Sequence, residues 1–257
     1  MPFNFRRMPK PLKVRKVLVI NFRTEAIPHE WASVGSLVEE FTEAIIQASR
    51  KVLVFKVIKQ LDMAGYPVFM DGRQYNDATW AQARQNDQTA LRDATGNYLL
   101  ADYNRIIKDY SILQAIHGDV IDEVWMFGGP YFGFYESRMV GKGAFWCNAP
   151  ALELEGRRFV MMGFNYERGV REMIHSFGHR IESILGMRFG SQLFLNQLYG
   201  GQPTAAPRND FEAWLLQHGT VHRKPGGADY SQDEYEWTTA IKTDWWPAVI
   251  DPNLVKT

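Results

Sequence analysis

Apolar residues fall along the chain in two alternating patterns, short unbroken runs and longer stretches with helical spacing. The run "KVLVINF" (16–22) is β-branched and apolar and gives way to polar loop chemistry, which predicts a strand buried on both faces. Leu37, Phe41, Ile45 and Ile46 recur at helical spacing and predict a helix over 33–50. "VLVFKVI" (52–58) reads as a second strand, although periodicity alone also allows an extension of that helix. "YPVFMDGRQYND" (66–77) predicts a short strand ending in an Asp-Gly turn, and helical patterns follow over 78–93 and 98–117. "IDEVWMF" (121–127) and "RRFVMMGF" (157–164) complete the set of strands. The first enters a long glycine-aromatic loop, the second a helix over 166–186.

Strands alternating with helices of this length predict an α/β fold, a mostly parallel sheet with helices on both faces. Ligands of such sheets bind beyond the carboxyl ends of the strands, so the 128–148 loop and the start of the 166–186 helix are expected at one rim. Residues 1–13, with Pro2, Pro9 and Pro11 among basic residues, read as an extended arm ahead of a domain spanning 14–186. From 187 to 257 the regularity fades into Gly, Pro and Trp. This part reads as an irregular extension packed on the same domain, with Trp214, Trp237, Trp245 and Trp246 as anchors.

Composition narrows the partners. Lys plus Arg and Asp plus Glu are 29 each, so no global field recruits nucleic acid or an anionic membrane. No stretch is apolar enough for a membrane span, and no signal-peptide pattern is present, so a cytoplasmic protein acting on a small-molecule or peptide substrate is expected. The single cysteine, Cys147, rules out an internal disulfide framework.

The candidate chemistry concentrates in "EMIHSFGHRIE" (172–182). On a wheel of about 100 degrees per residue, Val170, Met173, Ile174, Phe177, Ile181, Ile184 and Leu185 cover one broad arc. Glu172, His175, His179 and Glu182 share the opposite side within roughly 80 degrees. Asn165 is placed to cap the helix and Gly186 to stop it. Neutral imidazoles one turn apart can chelate a divalent metal, zinc above all, with Glu182 as third ligand from the same helix. The competing account is a solvated face whose i,i+3 His and Glu pairs merely stabilise a helix.

"HSFGH" resembles a degenerate form of the zincin metallopeptidase helix, His-Glu-x-x-His, with Ser176 where that family carries its catalytic glutamate. The resemblance implies a metal-dependent hydrolase acting on a peptide or amide bond, whose base must come from another carboxylate. The wider stretch, 123–148 with 163–183, resembles bacterial proteins of unassigned function. The expected catalytic groups are Glu136 or Glu172 as base and Arg138 or His222 as oxyanion stabiliser.

In the loop "GGPYFGFYESRMVGKG", no phosphate-binding spacing is present, so Tyr131, Phe132, Phe134 and Tyr135 are expected to wall a substrate cleft. A non-catalytic ligand- or protein-binding module using the same loop is the alternative function. Cys147 lacks a nucleophile signature and is expected buried and inert. His218 and His222 form a second i,i+4 pair in a weakly helical context; His29 and His117 suit turns or caps. The acidic stretch 229–236 lacks the glycine and terminal Glu of a calcium loop.

Overall fold

The computed structural model describes residues 13–199 and 206–222. Most of the expected basic arm, Trp237, Trp245, Trp246 and the 229–236 stretch lie outside those residues.

The fold is α/β, built on a five-stranded sheet. The strands are β1 (Lys13–Arg23), β2 (Leu53–Ala64), β3 (Glu123–Gly128), β4 (Ser137–Val140) and β5 (Phe159–Asn165), ordered β2-β1-β3-β5-β4. β1 pairs in parallel with β2 and β3, and β3 with β5; β4 alone runs antiparallel, against β5. All of β3 and Val17–Phe22 of β1 are buried, which is why these strands appear in sequence as unbroken apolar runs.

Helix α1 (Val34–Ala48) starts at Ser33, whose side chain accepts the Ser36 N–H, and buries Leu37, Phe41 and Ile45. Phe41 meets Trp125 and Phe164 on the sheet and Phe177 on the long helix, with ring centroids 5.3 to 5.9 Å apart. On the other face Phe22 stands edge-on to Tyr110 and touches Phe134 of the aromatic loop. Edge-to-face aromatic packing of this kind couples the layers beyond simple area burial.

Several elements differ from expectation. The 66–77 segment forms only isolated bridges, Val68 to Gln74 and Phe69 to Ala101, around the Asp71-Gly72 turn. The 78–93 helix is two, α2 (Asp77–Arg84) and α3 (Gln88–Leu91), because Asn86 takes a left-handed φ of 63° and Asp87 caps a new start at Thr89. Likewise Ser111, φ 52°, divides the 98–117 pattern into α4 (Tyr103–Asp109) and α5 (Ile112–His117). β4 lies inside the glycine-aromatic loop; four residues between glycines carry too little alternation to stand out.

The histidine helix, α6, runs Val170–Phe189. Asn165 is not its cap: the Asn165 side chain accepts the Glu167 N–H in a turn, and Gly169 holds the cap position with its N–H given to Glu172. Gly186 is inside the helix, where an added Cβ would lie 2.6 Å from Leu195, and the left-handed stop is Gly190, φ 65°. Regular structure continues into the expected irregular extension as α7 (Gln192–Tyr199) and α8 (Asp210–His218). Phe194, Leu195, Leu198, Phe211 and Leu215 form a second buried cluster, with Leu185 and Trp214 against it. Among the described residues no helix is long and apolar enough to cross a membrane.

Candidate metal centre

The polar arc of α6 faces inward. Ser176, His179, Arg180, Glu182 and Ser183 are all buried, whereas Ile181, assigned from the wheel to the packed face, is 41% exposed. The solvated-face account of the histidine helix therefore fails. The segment 219–222 covers His179 and Glu182, and at the edge of the apolar arc the Arg180 guanidinium makes a two-pronged pair with Glu123 at 2.7 and 2.8 Å, with Trp125 Nε1 donating to the same carboxylate at 2.9 Å. Glu123 is fully buried, with Arg15 Nε also 3.6 Å away, and Arg180 keeps its edge of α6 on the sheet. Burial alone would raise the Glu123 carboxyl; the charge and hydrogen bonds of Arg180 outweigh it and hold the group below its usual range.

One turn apart on α6, His175 and His179 have Nε2 atoms 3.1 Å apart, and His222 adds a third Nε2 at 2.8 Å from that of His179. One ligand atom from each of His175, His179 and His222 lies within 4.8 Å of the others, close enough to bind one metal ion. Tetrahedral zinc with bonds of about 2.0–2.1 Å separates ligand nitrogens by roughly 3.3 Å, a few tenths wider than these spacings. Burial first, then the charges of His179, His222 and Arg168, push His175 down to about 4. Burial and His179 also lower His222, with Glu182 and Glu136 pulling partly the other way. Both effects keep the imidazoles neutral, the form that ligates.

A single imidazole nitrogen carries one proton or one lone pair, yet His179 Nε2 faces two other imidazole nitrogens. Hydrogen bonding satisfies one of those contacts at a time. A cation satisfies all three nitrogens together.

His222 reaches the cluster through the segment after α8. Gly219, φ 84°, turns the chain back, and the Val221 N–H donates to Glu182 Oε1 at 2.7 Å. Val221 lies directly on Gly178, where an added Cβ would sit 2.6 Å from Val221 Cγ2. The other Glu182 oxygen stands 3.5 Å from His179 Nδ1. Glu182, expected as third ligand, is thus placed behind His179, and the third nitrogen of the group belongs to His222, expected as an oxyanion stabiliser. A carboxylate behind a ligating imidazole fixes its orientation and raises its basicity. A mid-helix glycine costs about 1 kcal/mol against alanine, so Gly178 was a visible signal of something packed against the helix.

The aromatic loop and the start of α6 meet, as expected, across a cleft of about 400 Å³. Tyr131, Phe132 and Phe134 line it from the loop, together with Glu136, Glu172 and Ser176, while the three histidines are not among its lining residues. Phe132 is a buried floor, whereas Tyr131 is 44% exposed. Tyr135 is not among the lining residues; its ring packs near Tyr103 at 5.9 Å. Arg138 is also turned away: its Nε donates to the Pro150 carbonyl at 2.9 Å and its guanidinium covers the Tyr103 and Tyr135 rings. Residues 134–138 alternate sides as they enter β4, which separates Glu136 and Phe134 from Tyr135.

Glu136 is held by Asn148, whose Nδ2 donates at 2.6 Å, and Asn148 in turn gives its backbone N–H to Ser183 of α6 at 3.3 Å. Glu172 accepts the Gly169 N–H, and Ser176 donates to the Glu172 carbonyl at 2.9 Å. Cys147 is fully buried, and burial pushes its thiol up despite the nearby Ser137 hydroxyl. His29 is exposed, and His117 packs over Gly156, away from the cluster. The side chain of His218 lies outside the described residues. No protein-family model, curated protein or solved structure matches the chain.

Proposed function

We propose that the protein is a metal-dependent hydrolase, zinc being the metal the donors suit best, acting on a peptide or amide bond. His175, His179 and His222 hold the metal, and Glu182 orients His179 from behind. Three imidazole nitrogens leave a fourth position for water or a substrate oxygen, as in catalytic zinc sites. The metal supplies Lewis acidity toward that oxygen. The observation that carries this reading is the convergence of two imidazole nitrogens on His179 Nε2, at 3.1 and 2.8 Å.

Ser176 stands where a zincin carries its base, but its hydroxyl is spent on the Glu172 carbonyl. Glu136 takes that part. It lines the cleft, its charge is felt by His222, and Asn148 fixes its carboxylate. Glu172, also at the cleft wall, is the other carboxylate within the same lining. The substrate lies against Tyr131 and Phe134.

Elemental mass spectrometry of the untagged protein is the test, beside His175→Ala and His222→Ala. The expected result is about one zinc per chain, lost in both variants. Absence of metal after zinc addition, or full occupancy in His222→Ala, removes the reading. Zinc binding with no hydrolysis of amide substrates leaves a metal-containing binding module instead.

A further inference from the structure

The cleft carries more information about its occupant than size alone. Three charged side chains line it among the described residues, Glu136, Glu172 and Arg168. Both carboxylates accept hydrogen bonds, from Asn148 Nδ2 at 2.6 Å and from the Gly169 N–H at 3.1 Å. Arg168 is exposed, and no carboxylate among the described residues forms an ion pair with it. It sits where the chain enters α6, close enough for its charge to depress His175. An unpaired guanidinium at the mouth of a cleft, beside a candidate metal centre, is a planar fork suited to a carboxylate.

The lining also carries aromatic residues, one of them held at some cost. Tyr131 has a φ of 67°, a left-handed conformation that a bulky residue adopts only under constraint. Its ring remains 44% exposed and Tyr98, also lining the cleft, is 55% exposed. One face of Tyr98 is covered by the Arg92 guanidinium at 4.0 Å. Tyr131 and Tyr98 thus add exposed flat surfaces to the lining, while Phe132 is buried. At about 400 Å³ the space accommodates a small molecule or the last residues of a chain, not a folded partner.

We infer that the cleft takes an N-acyl amino acid unit with a free carboxylate and a flat or apolar side chain. Arg168 reads the carboxylate, and Tyr98 and Tyr131 receive the side chain. This rests on the hydrolase reading for the chemistry, but not for the binding. In the reaction, water adds across the amide: the acyl carbon gains the hydroxyl, the C–N bond breaks, and the nitrogen takes the proton. The product amine is the amino acid whose carboxylate Arg168 holds.

The test is calorimetric titration of the purified full chain with N-acetyl-L-tyrosine and N-acetyl-L-tyrosinamide, which differ only in that carboxylate. The acid should bind at least roughly tenfold tighter, the scale of a charge-assisted hydrogen bond. Arg168→Gln should erase the difference, and Arg168→Lys should keep part of it, a point charge without the fork. Equal affinities in the wild type, no binding of either compound, or a preference that survives in Arg168→Gln overturns the inference; in the last case the carboxylate sits on the histidine cluster instead. Metal content is measured on the same samples, so a failure of the metal reading is seen there and a failure of this one in the titration. A tripeptide ending in tyrosine that matches N-acetyl-L-tyrosine assigns the unit to a peptide terminus; binding of the small acid alone assigns it to free N-acyl amino acids.

Discussion

Replacing Gly178 with alanine sets a local gain against a long-range loss. Alanine in place of glycine inside a helix is worth about 1 kcal/mol to the helix. The new methyl, however, would stand 2.6 Å from Val221 Cγ2. Carbon atoms in contact settle at about 3.5–4.0 Å, so Val221 must retreat by roughly 1 Å. Overpacking of this kind costs about 1–3 kcal/mol in a rigid core. Here the displaced residue sits in the short segment 219–222, so the cost should fall at the low end of that range, the two terms nearly cancel and the melting temperature changes little. Metal affinity does not escape. His222 follows Val221, and a shift of that size is several times the tolerance of about 0.2 Å on ligand distances. Zinc affinity should fall at least about 10- to 100-fold, the range seen when groups supporting a ligand are removed. Competition against a chromophoric chelator measures it, with thermal unfolding alongside. Val221→Ala in the same chain should restore much of the loss by removing the clashing carbons, a double-mutant cycle that isolates this contact. An unchanged zinc affinity in Gly178→Ala would refute the idea that Val221 seats His222.

Other outcomes follow from the same geometry. Glu182→Gln removes the charge behind His179 and weakens the Val221 tie, so zinc affinity should drop about 10-fold or more; titration against a chelator showing no change would demote Glu182 to a packing role. Arg180→Met leaves Glu123 buried without its partner and should destabilise by about 3–5 kcal/mol in urea unfolding. Because the Glu123 carboxyl is depressed on folding, its contribution is present above the ordinary carboxylate range and is lost as pH falls through and below it; acid unfolding of the wild type that shows no proton uptake there would contradict the assignment. His175, pushed down to about 4, favours the folded, metal-free protein least at low pH, so stability should decline as pH drops from about 6.5 toward 4 and His175→Gln should flatten that slope. Native Cys147 should react slowly with iodoacetamide near neutral pH and quickly after denaturation, since its thiol is buried and raised.

Much of this architecture is local in origin and could be read from the chain. A strand covered on both faces must be apolar throughout, so β1, β3 and β5 announced themselves, and with them the parallel sheet and the rim where loop and helix meet. The i,i+4 spacing of His175 and His179 is likewise a property of one helix. Helix ends were harder: Asn165 and Gly186 have the right chemistry for cap and stop, but competing turn and packing contacts took them, and Gly169 and Gly190 do the work.

What the sequence could not decide was which way α6 faces and what completes its histidine pair. The wheel set the polar arc opposite the apolar one and left open whether it was a ligand set or a solvated face. The structure covers both faces: Met173 and Phe177 stay in the core, while His179 and Glu182 are buried under a segment that arrives after α8. His222 joins from 43 residues beyond His179, through Val221, Gly178 and Glu182. Periodicity encodes contacts within one element; a ligand delivered across that separation exists only once the chain has folded and two surfaces have met.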